Sequence, residues 1–232
     1  MLTPPRAGAH GRHKQAGQSA RTPPEAPPRI CRIPEPPRTP TSEKTYNPLP
    51  VRLPDDPTLR AQIRDAVRAA AARPEVSATV AAIYADVQSA VDARRPKCDI
   101  SGRCCRFEEY GHRLYVSTIE LAAFVSGLTG LPTSQREKLD AAAGGWDGTG
   151  CPFQIAKLCA AHTIRPFGCR IYFCDPTAQD WQQDVYEQVH ARLKAEHERL
   201  GVPYYYLEWG DGLRVALADE SSGTRLRVLN SG

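Results

Sequence analysis

Seven of the eight cysteines in this 232-residue chain fall between Cys98 and Cys174, and they form two packets. The first, Cys98, Cys104 and Cys105, has the spacing C-x5-C-C. The second, Cys151, Cys159, Cys169 and Cys174, has the spacing C-x7-C-x9-C-x4-C. A reducing compartment keeps such side chains as thiols, so clustering of this density points to metal and not to a disulfide framework. Seven within 77 residues are also too many to serve only as small buried hydrophobes. Thiolates bind zinc and iron–sulfur clusters tightly, and a site built from two separated packets turns metal affinity into folding energy. Gly102 allows the backbone to turn so that Cys98 and Cys104 converge. The spacing is neither the paired C-x2-C of a zinc ribbon nor the C-x2-C-x2-C of bacterial ferredoxins. It says metal and leaves the metal open.

The rest of the chain divides by composition. Residues 1–57 hold 14 of the 21 prolines, and residues 1–50 carry 8 Lys/Arg against 3 Asp/Glu. The remainder nets −1 (22 against 23), which excludes a basic nucleic-acid-binding core. Residues 1–54 read as a disordered Pro/Arg-rich arm, in which Cys31 has no structural partner. The arm has no apolar stretch of signal-peptide type, and its Pro-Pro pairs forbid the helix of a transit peptide. No segment approaches the roughly 20 apolar residues that span a bilayer. The expectation is a cytoplasmic protein with no membrane and no nucleic-acid partner, whose protein partners are unknown.

Residues 55–220 read as one domain. Asp56-Pro57 is a helix start, with Leu59, Ile63, Val67 and Ala70 at helical spacing behind it. Arg73-Pro74-Glu75 is a second start, and its stripe is Val76, Val80, Ile83, Val87 and Val91 up to Arg95-Pro96. An antiparallel helical hairpin is expected. Arg113–Val116 suggests a short strand. Ser117-x-x-Glu120 and Ser134-x-x-Glu137 have the capping-box form and predict two short helices, ending at Gly127 and Gly144-Gly145. A long helix follows Asp175-Pro176, carrying Trp181, Val185, Val189 and Leu193. Tyr204–Trp209 and Leu213–Leu217 flank Gly210-Asp211-Gly212 and read as a β-hairpin. Residues 221–232 read as a frayed tail. The fold class is therefore mainly α, a small helical domain wrapped around a cysteine-rich metal centre, with a short C-terminal β-hairpin. Trp146, Trp181 and Trp209 read as packing aromatics.

The string Cys98…Cys104-Cys105, Cys151-Pro152-Phe153, Cys159, and Arg165-Pro166-x-x-Cys169-Arg170-x-Tyr172 resembles the YkgJ-type cysteine-cluster family. That family is described as a zinc- or iron-chelating domain, and related cysteine motifs occur in flagellin lysine methylases. The resemblance covers about residues 96–176. Gln154-Ile155-Ala156-Lys157 departs from it, standing where an acidic, Gly-bearing turn is expected after CPF. The resemblance implies Cys98, Cys104, Cys105, Cys151, Cys159 and Cys169 as ligands, with Cys174 as a seventh candidate. Six thiolates exceed the four that one zinc or one [4Fe–4S] cluster needs. Two arrangements compete: an iron–sulfur cluster with spare cysteines, and a binuclear zinc site with shared thiolates. Each carries a formal charge of about −2, which suits Arg103, Arg106, Arg165 and Arg170 nearby. Arg165, Arg170 and His162 are expected beside the ligands, with His162 a further ligand candidate at C-x2-H from Cys159.

Two functions follow. The first is chelation of zinc or iron, as Zn²⁺, Fe or a [4Fe–4S] cluster, through thiolates of both packets. The second is an iron–sulfur-dependent enzyme that modifies a protein or small-molecule substrate, methylase-like or redox. A weaker third is an interaction adaptor that uses the Pro-rich arm. No catalytic residue is identifiable from the sequence.

Overall fold

A computed structural model of the chain describes residues 53–218 and 226–228. Most of the expected arm, with Cys31, lies outside the described residues, as does most of the expected tail.

The apolar stripes and caps form helices where the sequence predicts them. Helix α1 runs Pro57–Ala71, and the Asp56 side chain accepts the backbone N–H groups of Thr58 and Leu59. Helix α2 runs Pro74–Arg94 and ends at Arg95, which is left-handed at φ 51°. A 3₁₀ turn, Arg103–Cys105, leads into the short α3, Phe107–Tyr110. Strand β1, Tyr115–Ser117, enters α4, Thr118–Thr129, through the expected capping box of Ser117 and Glu120. Helix α5, Thr133–Gly144, starts before Ser134, so the second expected capping box does not form; Pro132 stands at its N-cap. The minimal hairpin of β2, Gln154–Ile155, and β3, Leu158–Cys159, follows. Helix α6 is Phe167–Ile171, and the long α7 is Gln179–Leu200. Strand β4, Tyr206–Glu208, passes directly into α8, Trp209–Leu217.

Helix α4 is the centre of the packing. Seven of its twelve residues are buried, Glu120 among them. Leu121, Phe124 and Leu128 meet Ile63 and Val67 of α1 and Leu213 of α8 in one core. Ile119 and Ala122 meet Val76, Val80, Ile83 and Val87 of α2 and Leu193 of α7 in a second core. The α1 stripe divides between the cores, Ile63 and Val67 in the first and Ala70 with the α2 stripe in the second. Every such side chain is at most 2% exposed, and burying each Val, Leu, Ile or Phe among them is worth about 1.5–3 kcal/mol.

The mainly helical class holds, and a small two-stranded antiparallel sheet lies near the C-terminus, but it is not the expected hairpin. Strand β4 pairs with β1, Tyr115 opposite Glu208 and Ser117 opposite Tyr206. Leu213–Leu217 are helical. The two glycines read as a turn serve close packing instead. A Cβ at Gly212 would lie 3.0 Å from a Leu121 methyl, and one at Gly210 would lie 3.1 Å from the Trp146 ring. Asp211 between them is 7% exposed; it accepts the Leu53 N–H at 2.8 Å and the Arg214 guanidinium at 3.2 Å. Leu53, at the end of the expected arm, is thus tied to α8. Within the expected tail, Leu226 bridges to Ala218, and Leu226 and Val228 are buried in the first core. Among the described residues no helix is long and apolar enough to cross a membrane.

Candidate metal centre

Four separate segments bring five of the seven cysteines to one cavity. Cys104 and Cys105 come from the 3₁₀ turn, Cys151 from the loop after α5, Cys159 from β3 and Cys169 from α6. Phe124, Phe153, Ala161, Pro166 and Trp209 complete an apolar wall, and Arg165 adds the one charged group among the lining residues.

Protein contacts hold the two packets against each other. The Cys151 N–H donates to the Cys105 carbonyl at 2.8 Å, the Gly150 N–H to Glu108 Oε2 at 2.7 Å, and Gln154 Nε2 to the Gly102 carbonyl at 2.7 Å. Gly150 is the tight point. Its φ is 58°, and a Cβ there would stand 2.7 Å from the Cys105 carbonyl oxygen. Only glycine combines that backbone with that approach. Gln154, part of the departure from the family pattern, is thus the side chain that ties the β2–β3 hairpin to the first packet. The hairpin turn, Ala156 and Lys157, has φ of 50° and 66°, the left-handed pair that a two-residue turn requires.

Two of the sulfurs lie within reach of one another. Cys104 Sγ and Cys105 Sγ are 4.0 Å apart. Metal–sulfur bonds of about 2.3 Å in a tetrahedron separate sulfurs by about 3.8 Å. The Trp209 indole N–H donates to Cys151 Sγ at 3.4 Å. The enclosed space is about 20 Å³, whereas a water needs roughly 10–15 Å³ on this measure. That is room for one water-sized body, and an eight-atom cubane exceeds it. As the side chains stand, no group of three or more His, Cys, Asp or Glu among the described residues could hold a metal ion. A shell of three or more thiolates would require these side chains to reorient. The donor set, all sulfur in an apolar wall, suits a soft or borderline metal.

The cavity favours thiols over thiolates. Cys104 is raised by its hydrogen bond to Cys105 and by burial. Cys105 is pulled down by Cys104, but its contact with Cys151 and its burial push it up to about 12. Burial raises Cys159 and, further, Cys169. The Arg165 guanidinium opposes this at Cys104, Cys159 and Cys169. Its Nε–H is buried with no hydrogen-bond partner among the described residues.

The other expected site residues lie elsewhere. Cys98 is exposed, Cys174 is half-buried with Sγ 3.7 Å from Ser101 Oγ, and neither lines the cavity. His162 is exposed and does not line it either. Arg170 braces the wall: it donates to the Arg165 carbonyl at 2.9 Å and the Thr163 carbonyl at 2.8 Å, and lies 4.4 Å over the Tyr84 ring. Arg103 and Arg106 stack on Tyr110, and Arg106 pairs with Glu109 at 2.8 Å. Two residues carry more than sequence reasoning assigned them. Trp209 lines the cavity, and Glu120 anchors α6, accepting the Phe167 N–H at 3.2 Å. Only the capping box marks Glu120 in the sequence, and nothing local marks Trp209.

Comparison with known protein families, curated proteins and solved structures returns no match to this chain.

Proposed function

We propose that this chain is a cysteine-thiolate metal-binding domain that holds zinc or iron in the Cys104/Cys105/Cys151/Cys159/Cys169 cavity. The convergence of five thiols from four segments on one enclosed space carries this reading, and the YkgJ-type resemblance of the two packets agrees with it. Cys104 and Cys105 of one packet and Cys151, Cys159 and Cys169 of the other would hold the ion, which would supply Lewis acidity and a cross-link between the packets. The chain's own residues do the rest. Phe124, Phe153 and Trp209 exclude water, Arg165 offsets the negative charge of a thiolate set, and the Gly150–Cys105 approach keeps the two packets in register. A cytoplasmic setting accords with free thiols.

Anaerobic purification, elemental and acid-labile sulfide analysis, and a visible spectrum test the proposal on one sample. Zinc without colour, or iron with its thiolate absorption, is expected. Cys104→Ser should lose metal and stability together, whereas Cys31→Ser should change neither. Full metal content in both Cys104→Ser and Cys151→Ser would refute the site.

A further inference from the structure

Arg165 brings a positive charge into the cavity wall and meets no carboxylate there. Arg106, Arg113 and Arg214 pair with acids at 2.8, 2.8 and 3.2 Å, whereas Arg165 forms no ion pair among the described residues. Its Nε–H is buried and has no hydrogen-bond partner among them either. A donor withdrawn from water with no acceptor costs stability, and a charge in an apolar wall calls for a counter-charge. Among the residues that line the cavity, the only side-chain acceptors are the sulfurs of Cys104, Cys105, Cys151, Cys159 and Cys169.

The backbone beneath Arg165 is fixed on both sides. Pro166 holds the preceding residue extended. Arg170 Nε donates to the Arg165 carbonyl at 2.9 Å, and the Glu120 carboxylate accepts the Phe167 N–H at 3.2 Å. A planar guanidinium on so fixed a turn loses little further freedom when it makes a hydrogen bond. Its charge acts on Cys104, Cys159 and Cys169, against the hydrogen bond with Cys105 that raises the first thiol and the burial that raises the other two. A second donor in the same wall already reaches sulfur: the Trp209 indole N–H lies 3.4 Å from Cys151 Sγ.

We propose that Arg165 is a positioning residue of the metal centre, whose Nε–H donates to a metal-bound thiolate of Cys104, Cys159 or Cys169 as the Trp209 indole donates to Cys151. The proposal rests on the cavity reading above. Hydrogen bonds to the sulfurs tune a metal–thiolate centre. Such a donor draws electron density from the sulfur, so sulfur-to-metal charge transfer takes more energy. It also lets an apolar cavity hold a negative thiolate set.

The test is anaerobic titration of the reduced, metal-free full chain with Co²⁺, read by sulfur-to-cobalt charge-transfer absorption. The parent should show that band. Arg165→Gln should move it to longer wavelength and weaken Co²⁺ binding about 10- to 100-fold, with the stoichiometry unchanged. A purely structural role for Arg165 would weaken binding without moving the band. An unmoved band in Arg165→Gln therefore overturns the proposal and leaves the cavity reading intact. A parent without the band would remove the cavity reading, and the proposal with it. Should Arg165→Gln lose its helical circular dichroism, Arg165→Lys carries the test, since it keeps the charge and lacks the Nε–H. The same shift is expected in it, and an unmoved band overturns the proposal equally.

Discussion

The Trp209 indole N–H points at Cys151 Sγ, 3.4 Å away, from the first turn of a helix that begins where strand β4 ends. This contact joins the sheet to the second packet. Phe124 and Phe153 pack on the same indole with ring centroids 5.0 and 6.4 Å away. Trp209→Phe removes the donor and part of the volume. It should cost about 2 kcal/mol in denaturant unfolding while leaving the metal content unchanged. A variant as stable as the parent would show that the contact does not hold the packet.

Glu120 is the buried carboxylate on which three elements meet. It accepts from the Ser117 backbone at 3.0 Å, the Ser117 hydroxyl at 3.1 Å, the Phe167 backbone at 3.2 Å and the Tyr84 hydroxyl at 3.1 Å. Glu120→Ala leaves these donors unpaired and should cost about 3 kcal/mol or more. Glu120→Gln, which keeps acceptor capacity, should cost less. Because Phe167 opens the helix that carries Cys169, metal affinity should fall in the order parent, Gln, Ala, as read by chelator competition.

The turn at Ala156-Lys157 is strained, since left-handed backbone costs a non-glycine residue about 1–2 kcal/mol. Lys157 has φ 66°. Lys157→Gly should therefore stabilise the domain by about 1 kcal/mol, visible as a raised denaturation midpoint. Destabilisation would show that the turn differs from the one described.

Burial lowers His112, His162, His190 and His197 below their ordinary value of 6.5. His197 is the most enclosed: its Nδ1 bonds the Val202 carbonyl at 3.1 Å, and its Nε2 faces the Ile119 N–H at 3.4 Å. That pairing needs the neutral ring, with the proton on Nδ1. The unfolded chain binds protons that the native state refuses, so stability is full above about 6.5 and falls as pH drops through that value. Glu120 has the opposite sign. Burial raises its carboxyl above 4.5, so its contribution is present below 4.5 and is lost as pH rises through the raised value. Thermal midpoints measured from pH 8 to 5 should fall, and His197→Gln should flatten the fall.

Thiol exposure sets an order of alkylation. Cys98 is exposed and Cys105 buried. Iodoacetamide pulses on the metal-free chain, read by peptide mass spectrometry, should modify Cys98 first and Cys105 last among these seven. Equal rates would mean that the cavity opens faster than the reagent reacts.

Local chemistry in the sequence is sufficient for much of the fold. Asp56-Pro57 starts α1 and the Ser117/Glu120 box starts α4 because the groups that satisfy the first N–H donors lie within three residues of them. The same holds for the stripes of α1, α2 and α7, whose periods are legible without any partner. The C-terminal segment departs from its local pattern, since Leu213–Leu217 are helical. Gly210-Asp211-Gly212 has the composition of a turn, and only the approach of Trp146 and Leu121 gives its glycines another purpose.

By itself, the sequence determined that the chain is mainly helical and that seven of its eight cysteines form two packets. Both properties reside in composition and short-range spacing. Only the tertiary structure decided which thiols share a cavity, that β4 pairs with β1 some 90 residues earlier, and that Trp209 and Arg165 line the site while Cys98 and Cys174 do not. Those outcomes depend on the packing of α1, α2, α7 and α8 around α4. Contacts between residues far apart in the chain leave no periodicity along it, so no local pattern can encode them.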